Sequence, residues 1–117
     1  MSKVKFRLQK VLEIICDIEF IMDNNSLKIT QAVEDRVLKP AIRMNLVRIA
    51  EQFSKLKDEN EFKILDCFSS KDLKGISAVR NYIAHDYEST DDNIIEDVIR
   101  HNLPDLKNII EELLKKN

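Results

Sequence analysis

Between positions 80 and 87 the chain reads Arg-Asn-Tyr-Ile-Ala-His-Asp-Tyr, which gathers an arginine, a histidine, two tyrosines, an amide and an acid into about two helical turns. Arginine stays charged and offers a planar fork of donors to an anion. Histidine ordinarily titrates near neutrality, so it can take and return a proton. An anion clamp beside a proton shuttle suits phosphodiester chemistry, in which negative charge develops on a phosphoryl oxygen while protons move. Arg80 and His85 are therefore the candidate catalytic pair.

The elements that carry these residues follow from the rest of the chain. Its 117 residues include one Gly and two Pro and are 44% hydrophobic, with Leu, Ile, Glu and Lys abundant. Such a composition predicts one domain, residues 1–117, built from helices around a real core. The 34% charged residues nearly cancel to a net charge of −2. That balance argues against a protein that coats nucleic acid through bulk positive charge, and no DNA partner is expected, although a local basic site is compatible with it. Cys16 and Cys67 lack the number and spacing of a disulfide framework or zinc site, so two reduced thiols in a cytoplasmic protein are expected, with no metal and no cofactor. Polar residues Gln9, Lys10, Glu13, Asp17 and Glu19 interrupt the N-terminal apolar run, which predicts neither a signal peptide nor a membrane span.

Apolar residues recur at helical period in four main stretches. Val4, Leu8, Val11, Leu12, Ile15, Ile18 and Met22 form the first stripe, while Phe6, Ile14 and Phe20 fall outside it and predict cover on a second side. Pro40 divides the next region. Ile29, Val33 and Val37 share one face before it, and Ile42, Leu46, Ile49, Ala50, Phe53 and Leu56 another after it, about half a turn out of phase. A short segment over Thr30 to Leu38 and a long helix over Pro40 to Lys57 are predicted, with Lys39 disfavoured in the α region by the proline that follows it. Phe62, Ile64, Leu65 and Phe68 fit either a helical turn or an ordered loop over the core. Ser69 or Ser70 then caps a third helix, with Asp72 in its first turn and Leu73, Ile76, Val79 and Ile83 on its buried face. In the last region Ile95, Val98, Ile99, Leu106, Ile109, Ile110 and Leu113 keep one phase through Pro104, which predicts a single bent helix from Asp92 to Lys115. The fold class is all-α: an antiparallel four-helix bundle with a short extra helical segment.

On an ideal wheel Arg80 lies beside the apolar stripe and His85 is rotated from it by about 140°. Asn81 and His85 are neighbours one turn apart. Either the helix distorts or ends near His85, or a second copy of the chain completes the site. Each residue also has an ordinary alternative: Arg80 an edge residue paired with an acid, His85 a partner of the helix C-terminal dipole, Tyr87 a packing residue.

Taken together, Arg80, the four residues Asn81 to Ala84, His85, Asp86 and Tyr87 match the RX4HXY motif in full, and the chain resembles the HEPN superfamily, most closely its HepT toxin branch. The segment from Ala41 to Glu51 is similar to that family's apolar helix ending in Ile-Gly-Glu, with Ala50 where the family usually has Gly, and Leu103-Pro104-Asp105-Leu106 resembles an element of its last helix.

The resemblance implies a homodimer whose two motifs meet in an interface cleft and a metal-independent endoribonuclease acting on RNA, with tRNA a target in some members. It assigns Arg80 to the scissile phosphate, His85 to general acid or base catalysis of attack by the neighbouring 2′-OH, and Asn81 to orienting either. It implies an MNT-type nucleotidyltransferase antitoxin that attaches AMP to Tyr87, adding bulk and negative charge that exclude RNA. A non-catalytic module that presents nucleotide or substrate to such a partner, and a bundle that only dimerises, are the competing readings. The intact Arg80 and His85 favour the nuclease. Asp86, Glu88, Asp91, Asp92, Glu96 and Asp97 oppose RNA unless Lys71, Lys74 or the basic residues at Lys3, Lys5, Arg7 and Lys10 face the cleft. Those acids are read as the cap, first turn and solvated surface of the last helix. Glu51 falls off its helix's main stripe and is left out of the site.

Overall fold

A computed structural model of the chain describes residues 2–24, 28–85 and 91–116. Among the described residues all regular structure is helical: α1 (Lys3–Asn24), α2 (Ile29–Glu34), α3 (Lys39–Asp58), α4 (Phe62–Leu65), α5 (Ser70–His85), α6 (Asp92–Asp97) and α7 (Leu103–Lys115), with a π-helical turn at Val98–Asn102 joining the last two. The four long elements form a ring, α1 on α3, α3 on α5, α5 on the π turn and α7, and α7 back on α1. The all-α bundle expected from the periodicity is present.

The core follows the stripes closely. Leu8, Val11, Ile15 and Ile18 of α1 are buried, as are all six predicted positions of α3. On the second side of α1 only Ile14 is covered; Phe6 and Phe20 are 49% and 66% exposed. Truncating a fully enclosed residue such as Leu46 or Ile49 to Ala costs roughly 2–5 kcal/mol in cores of this kind.

The interruption before α3 falls earlier than Pro40 suggested. The Asp35 carboxylate accepts from the backbone N–H groups of Val37 and Leu38, both at 2.9 Å. A short acidic side chain that captures these donors ends α2 at Glu34 and starts a turn that leads into α3. Val37 is consequently 80% exposed and shares no buried face with Ile29 and Val33. Lys39 is the first residue of α3, with Pro40 in the first turn, where its missing N–H costs nothing.

Residues Phe62–Leu65 form a single helical turn, and Phe68 beyond it is buried edge-on against Phe53, ring centroids 5.1 Å apart at 85°. Ser69 is the cap of α5: its Oγ accepts from Asp72 N at 3.1 Å. Ile76, Val79 and Ile83 are the buried face, with Leu73 partly covered.

The long last helix is continuous but widens at Val98–Asn102, where Leu103 N–H donates to Val98 O, five residues back. A proline lacks an N–H and its ring crowds the carbonyl four residues earlier. The wide turn immediately before Pro104 accommodates both. Pro104 itself is exposed, as its phase predicted.

Beside the π turn sits a buried polar contact. Asn102 Nδ2 donates to Asp72 Oδ1 at 2.7 Å, with Asp72 3% and Asn102 8% exposed. The chain's single glycine, Gly75, lies against this amide: a Cβ there would come within 3.0 Å of Asn102 Oδ1. Asp72 is thus a buried anchor between α5 and the last helix as well as a residue of the first turn.

Candidate active site

α5 displays the candidate residues on the side away from its buried face. Arg80, Asn81 and His85 are all exposed, and Tyr82 is 51% exposed. Arg80 Nη1 donates to Asn81 Oδ1 at a long 3.3 Å, and among the described residues Arg80 forms no ion pair with an acid. The ordinary alternative for Arg80, an edge residue tied to a carboxylate, therefore has no support among these residues. His85 is the last residue of α5, the position at which an imidazole also meets the negative end of the helix.

Asn81 and His85, one turn apart, line a single open groove of about 460 Å³ with Ala78 and Tyr82. Arg80 is not among its walls. Asn81 therefore bonds to Arg80 and shares a groove with His85, while Arg80 and His85 stand about 140° apart around the helix. Asp86 and Tyr87 lie outside the described residues.

A second groove of about 490 Å³ adjoins the first through Ala78 and Asn81. Its walls come from the C-terminal half of α3 (Phe53, Ser54, Lys57), from Leu65 of α4, and from Leu73, Lys74 and Ser77 of α5. Lys74 is one of the residues that would have to face the cleft to offset the acids after the motif. Of the N-terminal basic residues, Arg7 is committed elsewhere: its guanidinium grips Glu59 at 2.7 and 3.1 Å. That hydrogen bond holds the Glu59 carboxyl below, and the Arg7 guanidinium above, their ordinary pKa values.

Three of the described acids after the motif, Asp91, Asp92 and Glu96, have structural partners. Asp91 caps α6 by accepting from Asn93 N at 2.8 Å. Asp92 receives Arg43 Nη2 at 2.8 Å and Lys39 Nζ at 3.1 Å, and Glu96 pairs with Arg100 at 3.0 Å. Arg43, only 2% exposed, ties the first residue of α6 to α3. Asp97 and Glu51 are exposed.

The ribonuclease HepT-like family profile matches residues 8–113 of the 117-residue chain. The chain belongs to the ribonuclease HepT-like family. No curated protein and no solved structure matched it. The HepT-like match runs from the first turns of α1 to near the end of α7, so the helix bearing Arg80, Asn81 and His85 lies well inside it. Among the described residues no helix is long and apolar enough to cross a membrane, and no group of three or more His, Cys, Asp or Glu is placed to hold a metal ion.

Two features around this candidate site were missed in the sequence. The groove of Lys57 and Lys74 joins residues of two helices, and no local spacing marks it. The Asp72–Asn102 contact did leave a signal: a lone glycine inside an amphipathic helix costs about 1 kcal/mol relative to alanine and so implies a close neighbour.

Proposed function

We propose that this HepT-like protein is the toxin of a toxin–antitoxin pair and a metal-independent endoribonuclease whose active site forms where two copies of α5 meet. The observation that carries the proposal is the display on α5: Arg80, Asn81 and His85 exposed together, with Asn81 and His85 walling one groove and no described acid paired with Arg80.

In this reading His85 takes the proton of the RNA 2′-OH, whose oxygen attacks the adjacent phosphorus. The bond from phosphorus to the 5′ oxygen breaks, the leaving oxygen takes up the proton held by that imidazolium, and the products are a 2′,3′-cyclic phosphate and a 5′-OH. Arg80 neutralises the charge that builds on the phosphoryl oxygens. Asn81, held between the two, orients them. The nucleophile belongs to the RNA, so the chemistry requires no metal-bound water. Tyr87 is the regulatory residue: an MNT-type nucleotidyltransferase transfers AMP to its hydroxyl, and the added phosphate and nucleoside exclude RNA by charge and bulk.

The test is incubation of the purified protein with total RNA in EDTA, beside Arg80→Ala and His85→Ala. Cleavage by the parent protein alone, leaving 2′,3′-cyclic phosphate ends, is expected. An inert parent, or variants that cut equally well, would remove the nuclease assignment. Co-expression with a neighbouring nucleotidyltransferase should add AMP-sized mass that Tyr87→Phe abolishes; additions that survive that change would rule out Tyr87 as the acceptor.

A further inference from the structure

RNA presents a line of phosphates, and a protein of net charge −2 must meet them with a local track of cations. The groove between α3, α4 and α5 has the composition of such a track. Lys57 and Lys74 stand in its walls, and neither is in an ion pair among the described residues. Lys10, Lys39 and Lys107, by contrast, are each held by an acid. Ser54 and Ser77 add hydroxyls, and Leu65 and Leu73 give an apolar floor. The same groove reaches Asn81, where the His85 groove begins.

Distance along α5 gives the scale. Lys74 precedes Asn81 by seven residues and His85 by eleven, so it lies about 10 Å and about 16 Å away along the axis. That interval spans a few nucleotides of an extended strand.

We infer that the α3–α5 groove is a flanking subsite for single-stranded RNA, in which Lys57 and Lys74 hold backbone phosphates beyond the scissile one while an unstacked base rests on Leu65 and Leu73. The inference rests on the ribonuclease reading of the α5 site and adds to it the path by which the strand leaves the catalytic residues. Charge complementarity favours RNA over a second copy of the chain in this groove: two unpaired lysines brought against the same two lysines of a partner would repel.

The experiment measures binding of a short single-stranded oligoribonucleotide to the His85→Ala protein, which leaves the strand uncut, across a series of salt concentrations. Lys57→Gln with Lys74→Gln is compared with Lys115→Gln with Lys116→Gln, a pair at the end of α7 outside the groove. The groove pair should weaken binding and flatten the plot of log affinity against log salt by about 1.4, the slope expected for two phosphate contacts on a single strand. The α7 pair should change neither. Equal slopes for both pairs overturn the subsite. A groove pair that changes the oligomeric state by light scattering and leaves the slope alone assigns the groove to contact between copies and also overturns it. The two readings fail separately: a parent protein that binds RNA with this lysine dependence but never cuts it retains the subsite and loses the nuclease.

Discussion

Asn102 Nδ2 lies 2.7 Å from Asp72 Oδ1 in a contact that both residues bury, so a carboxylate inside the bundle is satisfied by an amide from the π turn. Asp72 also donates its backbone N–H to the Ser69 cap, which places both interactions at the start of the helix that carries Arg80 and His85. A buried carboxylate deprived of its partner is costly. Asn102→Leu should therefore destabilise the protein by roughly 2–3 kcal/mol, whereas Asp72→Asn, which keeps an acceptor in place, should cost less than about 1 kcal/mol. Urea midpoints for the two variants check the order, and equal losses would show that the contact matters only for its shape.

Gly75→Ala isolates the same contact from the other side. Helix propensity alone predicts a gain of about 1 kcal/mol, because alanine is the better residue in a helix interior. The added methyl meets Asn102 Oδ1 at 3.0 Å, and the amide is buried and bonded to Asp72, so it yields poorly. A net loss of roughly 1–2 kcal/mol is expected by thermal melting. In an Asn102→Ala background the obstacle is gone and Gly75→Ala should become stabilising. A sign that stays the same in both backgrounds would contradict this account.

The Asp92 carboxylate bridges two cations of unequal burial. The Arg43 side chain is 3% exposed and that of Lys39 31%, although both reach the same carboxylate within 3.1 Å. Asp92→Ala removes the carboxylate bonded to Nη2 of a buried guanidinium and should cost roughly 2–4 kcal/mol. Lys39→Ala removes a partly solvated partner and should cost about 1 kcal/mol or less. Denaturant titration separates them. A Lys39 effect as large as that of Asp92 would mean that the pair acts as one unit.

These contacts show where the sequence was legible. The stripe of Ile42, Leu46, Ile49, Ala50, Phe53 and Leu56 could be read from period alone because core burial and helix geometry demand the same spacing. The exposure of Asn81 and His85 followed in the same way from their angle to Ile76, Val79 and Ile83. Where a short side chain decides the backbone the period was silent: Asp35 ends α2 at Glu34 by taking two N–H groups, and Val37 leaves the face it was assigned to. Pairings such as Arg43 with Asp92 or Lys57 with Lys74 join residues distant in sequence, and a single chain without its fold carries no mark of them.

Acid should weaken the junction between α1 and the end of α3. The Arg7 guanidinium, bonded to Glu59 at 2.7 and 3.1 Å, holds that carboxyl below the usual glutamate value. A carboxyl that binds its proton less readily folded than unfolded contributes stability above the unfolded value, and that contribution is lost as pH falls through the lower folded value. The loss should begin below about pH 4.5 and continue downward. Glu59→Gln should therefore be less stable than the parent near neutrality and approach it in acid. Parallel stability curves for the two proteins across that range would refute the linkage.

Arg80 is not among the walls of the groove that Asn81 and His85 line, so a mixed dimer can ask which copy supplies which group. Arg80→Ala and His85→Ala should each be inactive alone, with losses of about 10²-fold or more for a charge-stabilising donor or a proton-transfer group. If the working site takes Arg80 from one copy and His85 from the other, a dimer of the two variants holds one site with both groups intact and one with neither. Random re-pairing at equal concentration makes half the dimers mixed, so about a quarter of the parent rate should return. A site built within one copy gains nothing from mixing, because every protomer then lacks one of its own residues. The rate after unfolding and refolding the mixture, against each variant refolded alone, decides between the two arrangements.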